Sequence, residues 1–222
     1  LIKHNGPIKN LKKFKEILGI NYFKNRIKFS SSPSLEAQVA SISDDIAYNS
    51  HDLEDGLKSN LFHLSDLDNI PILNKIVSIH KKKIKKYSID LVIRQIVREV
   101  INEMVKDLII TTQKNIKKRR IRNLNDVFKS KYPLVTFSNK MKKFDKKIKI
   151  FLKNNMYYHK NVKSNTNEGK KIIRKLFLSI RKNPNNYINV SKYDKKNAAR
   201  SICDFIAGMT DRYAINLYKK IK

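Results

Sequence analysis

The stretch from Pro33 to Phe62 constrains the fold most, because its apolar and acidic residues both recur at helical spacing. On a helical wheel the acidic and phenolic side chains Asp44, Tyr48 and Asp52 share one face. The apolar residues share the opposite face, which predicts a helix with one buried side: Leu35, Val39, Ile42, Ile46, Leu53 and Leu57. We expect Ser32 to cap this helix and Pro33 to occupy its first position.

The same stretch is an acidic island in a strongly basic chain. The whole chain has 49 Lys and Arg against 19 Asp and Glu, a formal net charge of +30. Residues 36–68 contain only one basic residue, Lys58, and eight acidic ones: Glu36, Asp44, Asp45, Asp52, Glu54, Asp55, Asp66 and Asp68. The i, i+4, i+8 spacing of Asp44, Tyr48 and Asp52 spans roughly 12 Å of helix and suits an elongated polar ligand. A solvated acidic face has the same spacing, so both interpretations stay open.

Two long segments carry a resemblance to a known family. EAQVASISDDIAYNSHDLEDGL, residues 36–57, and CDFIAGMTDRYAINLY, residues 203–218, resemble the main and C-terminal motifs of the bacterial dGTPase-like proteins. These proteins are a branch of the HD-domain deoxynucleoside triphosphate triphosphohydrolases. Residues 1–7, 97–112 and 146–162 are more weakly similar. The resemblance covers nearly the whole chain but only the C-terminal part of the family's usual length.

The resemblance implies a role for each matching residue. The family pattern Asp-x-x-x-Tyr-x-x-x-Asp assigns a divalent metal ligand to Asp44 rather than to Asp45, and it places Tyr48 and Asp52 against the deoxyribose. The other metal ligands of the family are a His and a His-Asp pair. We expect them before residue 1, so the N-terminal metal-binding HD part is expected to be absent and the catalytic site incomplete.

Residues at both ends of the chain are further candidates for nucleotide binding. Asp211, Arg212 and Tyr213 either line the nucleotide pocket or pack within a helix through an intrahelical ion pair. Gly208 nearby allows a close approach by a ligand or another backbone. His4, in a turn-like stretch, either approaches the nucleotide or is an ordinary loop histidine.

The implied function is part of a metal-dependent hydrolase that converts a deoxynucleoside triphosphate and water into deoxynucleoside and triphosphate. The cofactor is expected to be Mg²⁺ or Mn²⁺, and the chain alone is expected to be inactive. One alternative is a basic helical module that binds single-stranded DNA through Lys81 to Lys86, Lys117 to Arg122 and the basic residues of the 140s. Another is a regulatory pseudo-subunit. The expected protein partner is a second copy or the missing N-terminal part.

Helical periodicity continues through most of the chain, which predicts an all-α, multi-helix bundle. We expect one helical region over residues 1–222, with sub-lobes 1–116 and 117–222. Predicted helices cover residues 11–18, 71–83, a long segment from 88, 139–154, 170–181 and 195–219, with a loop over 114–133. The single cysteine, Cys203, is predicted to be buried and fits a reducing cytoplasm. No run is long and apolar enough to predict a membrane span.

Overall fold

The structure, a computed structural model, describes residues 6–7, 29–82, 86–189 and 193–221. Its described residues form helices and connecting turns without a strand, which confirms the all-α prediction. His4 and the helix predicted over 11–18 lie outside the described residues. Within the described ranges, no helix combines the length and the apolar character that crossing a membrane requires.

Helices of very different length follow one another along the chain. Short 3₁₀ turns occupy Leu64–Leu67, Pro184–Asn186 and Lys195–Asn197, and a π-helical turn occupies Lys153–Tyr157. The α-helices are α1 Leu35–Lys58, α2 Leu73–Lys81, α3 Ile89–Lys118, α4 Leu124–Lys129, α5 Asn139–Leu152, α6 Lys160–Lys182, α7 Ala198–Ala207 and α8 Asp211–Ile221.

The chain divides into two compact units, one ending at Met156 and the other beginning at Tyr157. This division differs from the boundary expected between residues 116 and 117. Helix α3 runs without interruption through residue 116, and α5 packs against α1. Residues 117–156 therefore belong to the first unit.

In the first unit, α3 is the element against which α1 and α2 pack, and α5 packs on α1. The fully buried side chains at the centre of this unit include Leu53, Leu73, Ile96, Met104 and Ile148. On α1, Ile46, Leu53 and Leu57 are buried as predicted, whereas Val39 is 44% exposed. The buried position of that helical turn belongs instead to Gln38, about 100° away on the wheel.

Gln38 determines how α1 begins. Its amide group donates from Nε2 to Pro33 O at 3.0 Å, and its Oε1 accepts from the backbone N–H groups of Leu134 at 2.8 Å and Val135 at 3.1 Å. The predicted helix start was wrong by two residues, since Ser34 is the N-cap and accepts from Ala37 N at 3.3 Å. Ser32 is used elsewhere and donates from N to Phe128 O and from Oγ to Ser130 O.

A polar network of four residues joins α1 to α5. Asn49, which is 5% exposed, donates from Nδ2 to Asp145 Oδ1 at 2.8 Å. Lys149 Nζ lies 3.0 Å from Asp145 Oδ2 and 3.3 Å from Asp45 Oδ2. Because Asp45 and Asn49 are one turn apart on α1, and Asp145 and Lys149 are one turn apart on α5, the network restrains rotation of α1 about its axis. We call these four residues the α1–α5 clamp.

Two boundaries in the middle of the chain also differ from prediction. Helix α4 lies inside the predicted 114–133 loop, where Asn123 and Asp126 form a capping box. Helix α6 begins at Lys160 rather than near 170, with His159 Nδ1 accepting from Asn161 N at 3.4 Å. Helix α4 is only six residues long and buries Val127 alone, and the first half of α6 is largely exposed, so neither segment has the long apolar stripe on which the prediction relied.

Ser138 caps the start of α5. Ser138 Oγ accepts from Met141 N at 3.3 Å. The same residue is anchored to α3, because its N–H and hydroxyl donate to the two carboxylate oxygens of Asp107 at 2.8 and 2.5 Å.

The second unit has its own small core, formed by Leu176, Ile180, Ile188 and Ile202. The helix predicted over 195–219 is interrupted, because Gly208 ends α7 and Thr210 Oγ1 accepts from Tyr213 N at the start of α8. Cys203 is exposed, contrary to prediction. It follows the buried Ile202 on α7, so a rotation of about 100° turns it out of the core.

Gly56 is required by close packing at the end of α1. A Cβ atom at this position would lie 2.2 Å from Cε1 of Phe62, whose ring packs edge-on against Phe151. We expect Gly56→Ala to lower the free energy of unfolding by about 1–3 kcal/mol through overpacking, measured by urea denaturation. Gly169→Ala in α6 is the control, since a Cβ there meets nothing within 4 Å. It should stabilise the helix by about 0.5–1 kcal/mol, and equal effects of the two changes would contradict the packing argument.

The clamp should make stability depend on alkaline pH. Partial burial lowers the pKa of Lys149, but the hydrogen bond and charge of Asp145, together with Asp45, outweigh it and hold the pKa above the ordinary lysine value. Because the folded pKa is raised, the stabilisation is complete below the unfolded value of about 10.4 and disappears as pH rises through the folded pKa.

Lys149→Met should therefore be less stable than the natural chain near pH 7, by up to about 1 kcal/mol since the ammonium is partly exposed. Urea midpoints measured from neutral to strongly alkaline pH should converge above the lysine pKa. Lys147→Met, an exposed lysine without an ion pair among the described residues, should show no such convergence. A constant difference between Lys149→Met and the natural chain at every pH would contradict the role of charge.

Candidate functional site on helix α1

The rotation of α1 places Asp44, Tyr48 and Asp52, which we call the acidic stripe, on the outer face of the helix. Ile46, Leu53 and Leu57 are buried, while Asp44 is exposed and Tyr48 is 70% exposed. Asp52 is partly buried, at the edge of the stripe. Since consecutive members are one turn apart, the three side chains form a line that a ligand could contact from outside the helix.

The two adjacent aspartates differ in what they contact. Asp45 is held by Lys149 within the clamp, with 3.3 Å between Oδ2 and Nζ. Asp44 has neither an ion pair nor a hydrogen bond with any residue that the structure describes. Its carboxylate oxygens are therefore available to a ligand.

Several other carboxylates of the acidic island have structural roles. Glu54 pairs with Lys58 and lies 3.9 Å from Arg94 Nε. Asp68 Oδ2 lies 3.2 Å from Lys81 Nζ, and Asp66 accepts from His63 N at 2.8 Å. The island is therefore divided between carboxylates that bind the chain's own cations and backbone, and the outward-facing stripe.

The described residues do not form a metal site of their own. Across residues 6–7, 29–82, 86–189 and 193–221, no group of three or more His, Cys, Asp or Glu side chains is arranged to hold a metal ion. Asp44 offers a carboxylate oxygen, which is the ligand type that Mg²⁺ and Mn²⁺ prefer. A single carboxylate does not hold either ion, so the divalent cation implied by the family does not fit this part of the chain alone.

A small cavity lies beside the N-terminal half of α1. It has a volume of about 200 Å³, and its lining includes Gly6, Pro7, Gln38, Asp45 and Lys131. Gly6 and Pro7 therefore lie beside the N-terminal half of α1. His4, the candidate nucleotide contact in this segment, lies outside the described residues.

The second set of candidates lies in the second unit. Asp211, Arg212 and Tyr213 form the first turn of α8, and all three are exposed. Neither Asp211 nor Arg212 forms an ion pair with a described residue, so the predicted intrahelical pair is not observed there. Asp44, Tyr48 and Asp52 belong to the first unit.

Tyr213 lines a cavity of the second unit. This cavity measures about 610 Å³ and is mainly apolar, with Phe205 and Met209 among its walls. Gly208 also lines it, but a Cβ atom there would make ordinary contacts of 3.6 Å with the carbonyl oxygens of Asp204 and Phe205. Close approach of a ligand therefore does not require glycine at this position, and its role is to end α7.

Sequence reasoning missed the residues that orient the stripe. Gln38, Asn49, Asp145 and Lys149 have no motif that points to one another, and the clamp joins positions 96 residues apart. The only signal was the i, i+4 spacing of Asp145 and Lys149, which is common on exposed helices.

Comparison with known proteins identifies similar chains. Residues 135–220 match the family described as the phosphohydrolase-associated domain. A deoxyguanosinetriphosphate triphosphohydrolase-like protein of Pelagibacter ubique (strain HTCC1062) is 46% identical over 221 residues, which cover all of this chain and 59% of that protein. Proteins with the same description in Bartonella quintana (strain Toulouse) and Rickettsia typhi (strain ATCC VR-144 / Wilmington) are 36% and 34% identical, and the chain covers 58% of each.

The chain thus spans less than two thirds of the length of these relatives, and it matches their C-terminal part. Between the segments 36–57 and 203–218, which carry the resemblance, the described residues form helices joined by turns and loops. Over its whole length, the chain is similar to the C-terminal part of deoxyguanosinetriphosphate triphosphohydrolase-like proteins.

Proposed function

We propose that this chain forms part of the substrate site of a deoxynucleoside triphosphate triphosphohydrolase, which produces deoxynucleoside and inorganic triphosphate. The observation that carries the proposal is the difference between Asp44 and Asp45. Asp45 is paired with Lys149, whereas Asp44 faces outward without a partner among the described residues, one turn from the exposed Tyr48. The names of the relatives support the reaction class.

Each residue of the stripe has a chemical role in this proposal. Asp44 supplies one hard oxygen ligand to Mg²⁺ or Mn²⁺. Tyr48 packs its ring against the deoxyribose and, with Asp52, discriminates the sugar by close packing and hydrogen bonds. Rejection of a ribose is reasonable on physical grounds, since a buried hydroxyl without a hydrogen-bonding partner is unfavourable.

The remaining metal ligands come, in this proposal, from polypeptide outside residues 1–222. The curated relatives are long enough to provide it, because the chain covers 59% of the Pelagibacter protein. Such polypeptide would pack over the outer face of α1. That placement would cover Tyr48, whose 70% exposure is high for a large aromatic side chain.

The isolated chain should therefore not hydrolyse deoxynucleoside triphosphates. Purified chain incubated with Mg²⁺ or Mn²⁺ and each of the four substrates should release no triphosphate above the background of a matched Asp44→Ala preparation. Release that the natural chain shows and Asp44→Ala lacks would mean that this chain already contains a working site.

The roles of Asp44 and Asp45 can be separated in a chimera. Residues 1–222 would follow the part of the Pelagibacter relative that precedes its match to this chain. Loss of a direct ligand should nearly abolish both metal content and turnover in the Asp44→Ala chimera. Asp45→Ala should keep the metal and lose at most about 10–100-fold in turnover, because it only loosens the clamp that orients the helix.

Metal content by mass spectrometry and triphosphate release would be measured on the same preparations. Asp45→Asn, which keeps the size of the side chain and removes its charge, is the matched control for the ion pair with Lys149. If the Asp45→Ala chimera lost its metal while the Asp44→Ala chimera retained it, the family pattern would have been aligned one residue out of register, and Asp45 would be the metal ligand. The proposed roles of Tyr48 and Asp52 would then be wrong as well.

A further inference from the structure

A concave basic surface lies where α3 ends and α4 begins. Residues 114–132 contain one acidic residue, Asp126, and eight basic ones: Lys114, Lys117, Lys118, Arg119, Arg120, Arg122, Lys129 and Lys131. Four of these cations and Tyr132 are among the residues that line an open cavity of about 390 Å³: Arg119, Arg120, Lys129 and Lys131. We call the surface formed by Arg119, Arg120, Lys129, Lys131 and Tyr132 the basic corner.

The positive charge of the basic corner is not neutralised by neighbouring side chains. None of its four cations forms an ion pair with a residue that the structure describes. Asp126, which also lines the cavity, is directed to backbone N–H groups, since its Oδ2 accepts from Arg122 N at 2.9 Å and from Asn123 N at 3.3 Å. Concave surfaces with one sign of charge concentrate ligands of the opposite sign.

Arg119 and Tyr132 are held in a fixed relation to each other. Arg119 donates from Nη1 to Ser130 Oγ at 3.1 Å and to Tyr132 O at 3.0 Å, and its Cζ atom lies 5.6 Å from the centre of the Tyr132 ring. These bonds use two of the five guanidinium N–H groups, so the others can donate to an external acceptor. Tyr132 is 67% exposed, which leaves its ring accessible for stacking.

Arg120 occupies a backbone conformation that usually belongs to glycine. Its φ is 52°, and α3 ends in a Schellman motif with Ile121 N bonded to Ile116 O and Arg120 N bonded to Lys117 O. Helix α1 ends in the same way, with Leu61 N bonded to Gly56 O and Asn60, at φ 53°, in the left-handed position. Asparagine tolerates this conformation, whereas a long side chain there is strained. Strain of this kind is often found at functional positions.

We propose that the basic corner binds single-stranded nucleic acid. Its cations contact successive phosphates, and the Tyr132 ring provides a platform on which a base stacks. Cationic grooves combined with exposed aromatic rings are the usual means by which proteins bind single strands without reading their sequence. The proposal does not depend on the hydrolase assignment, because it uses neither the acidic stripe nor a metal ion.

The test separates binding from folding at Arg120. Arg120→Gly relieves the left-handed strain, so the midpoint of thermal unfolding should rise by about 2 °C or more. The same change removes one phosphate contact, so affinity for a labelled oligothymidylate should fall. The slope of log affinity against log salt concentration should decrease in magnitude by about 0.7. Both would be measured on the full chain, the affinity by fluorescence anisotropy between about 50 and 200 mM salt.

Asn60→Gly is the matched control. It changes the residue in the same backbone conformation at the end of α1 without changing a charge. Because asparagine tolerates this conformation, the change should shift the unfolding midpoint less than Arg120→Gly does, and it should leave oligothymidylate affinity unchanged. Tyr132→Ala should weaken binding about tenfold through lost stacking, and Tyr132→Phe should retain it. Lys143→Ala removes an exposed cation of α5 that does not line the cavity of the basic corner, and it should leave the affinity unchanged.

Four outcomes would overturn the proposal. Unchanged oligothymidylate affinity in Arg120→Gly would show that Arg120 does not contact a phosphate. A lower unfolding midpoint in the same variant would show that the Arg120 side chain stabilises the fold. If Lys143→Ala lost as much oligothymidylate affinity as Arg120→Gly, binding would depend on the net charge of the chain and not on the basic corner. Displacement of the oligonucleotide by inorganic triphosphate at equal phosphate concentration, with no effect of Tyr132→Ala, would indicate a site for small phosphates instead of a strand.

Discussion

The rotation of α1 about its own axis is the constraint on which the candidate site depends. Burial of Ile46, Leu53 and Leu57 against the core determines which side of the helix is inside, and a fully buried leucine contributes about 1.5–3 kcal/mol. Hydrophobic contact is non-directional, so it does not fix the rotation angle of α1 completely. The bonds of Gln38 near one end and the clamp through Asn49 near the middle remove that freedom. A rotation of about 100° would exchange the surroundings of Asp44 and Asp45.

Stabilisation and orientation are therefore performed by different residues of one helix. Gly56 allows the Phe62 ring to close over the end of α1, and this contact secures the helix without affecting its outer face. The clamp stabilises little, because Lys149 is partly exposed to water. The clamp instead fixes the rotation of α1, since it pairs Asp45 with Lys149 and leaves the carboxylate of Asp44 exposed. The backbone that carries the acidic stripe is therefore oriented before a ligand binds.

The sequence predicted those parts of the fold that bury an apolar stripe. Helices α1, α3 and α5 each place a repeating apolar face in the core, and helical periodicity is sufficient to detect them. It could not detect α4, which is six residues long with one buried residue, or the first half of α6, which is largely exposed. These two helices begin with capping by Asn123 and His159. The stripe was predictable from spacing and resemblance. The clamp was not, because it depends on how two distant helices pack.

The two charged surfaces of the first unit impose opposite requirements on a phosphate ligand. The face of α1 presents Asp44 and Asp52, so a triphosphate approaching it is repelled unless a cation lies between the two anions. The basic corner attracts phosphates directly, and its attraction is screened by salt. Phosphate binding on α1 should thus require a divalent cation, whereas a divalent cation should only compete at the basic corner. The acidic island in a chain of net charge +30 is therefore consistent with a cation-dependent site, because electrostatic attraction alone would favour lysine there.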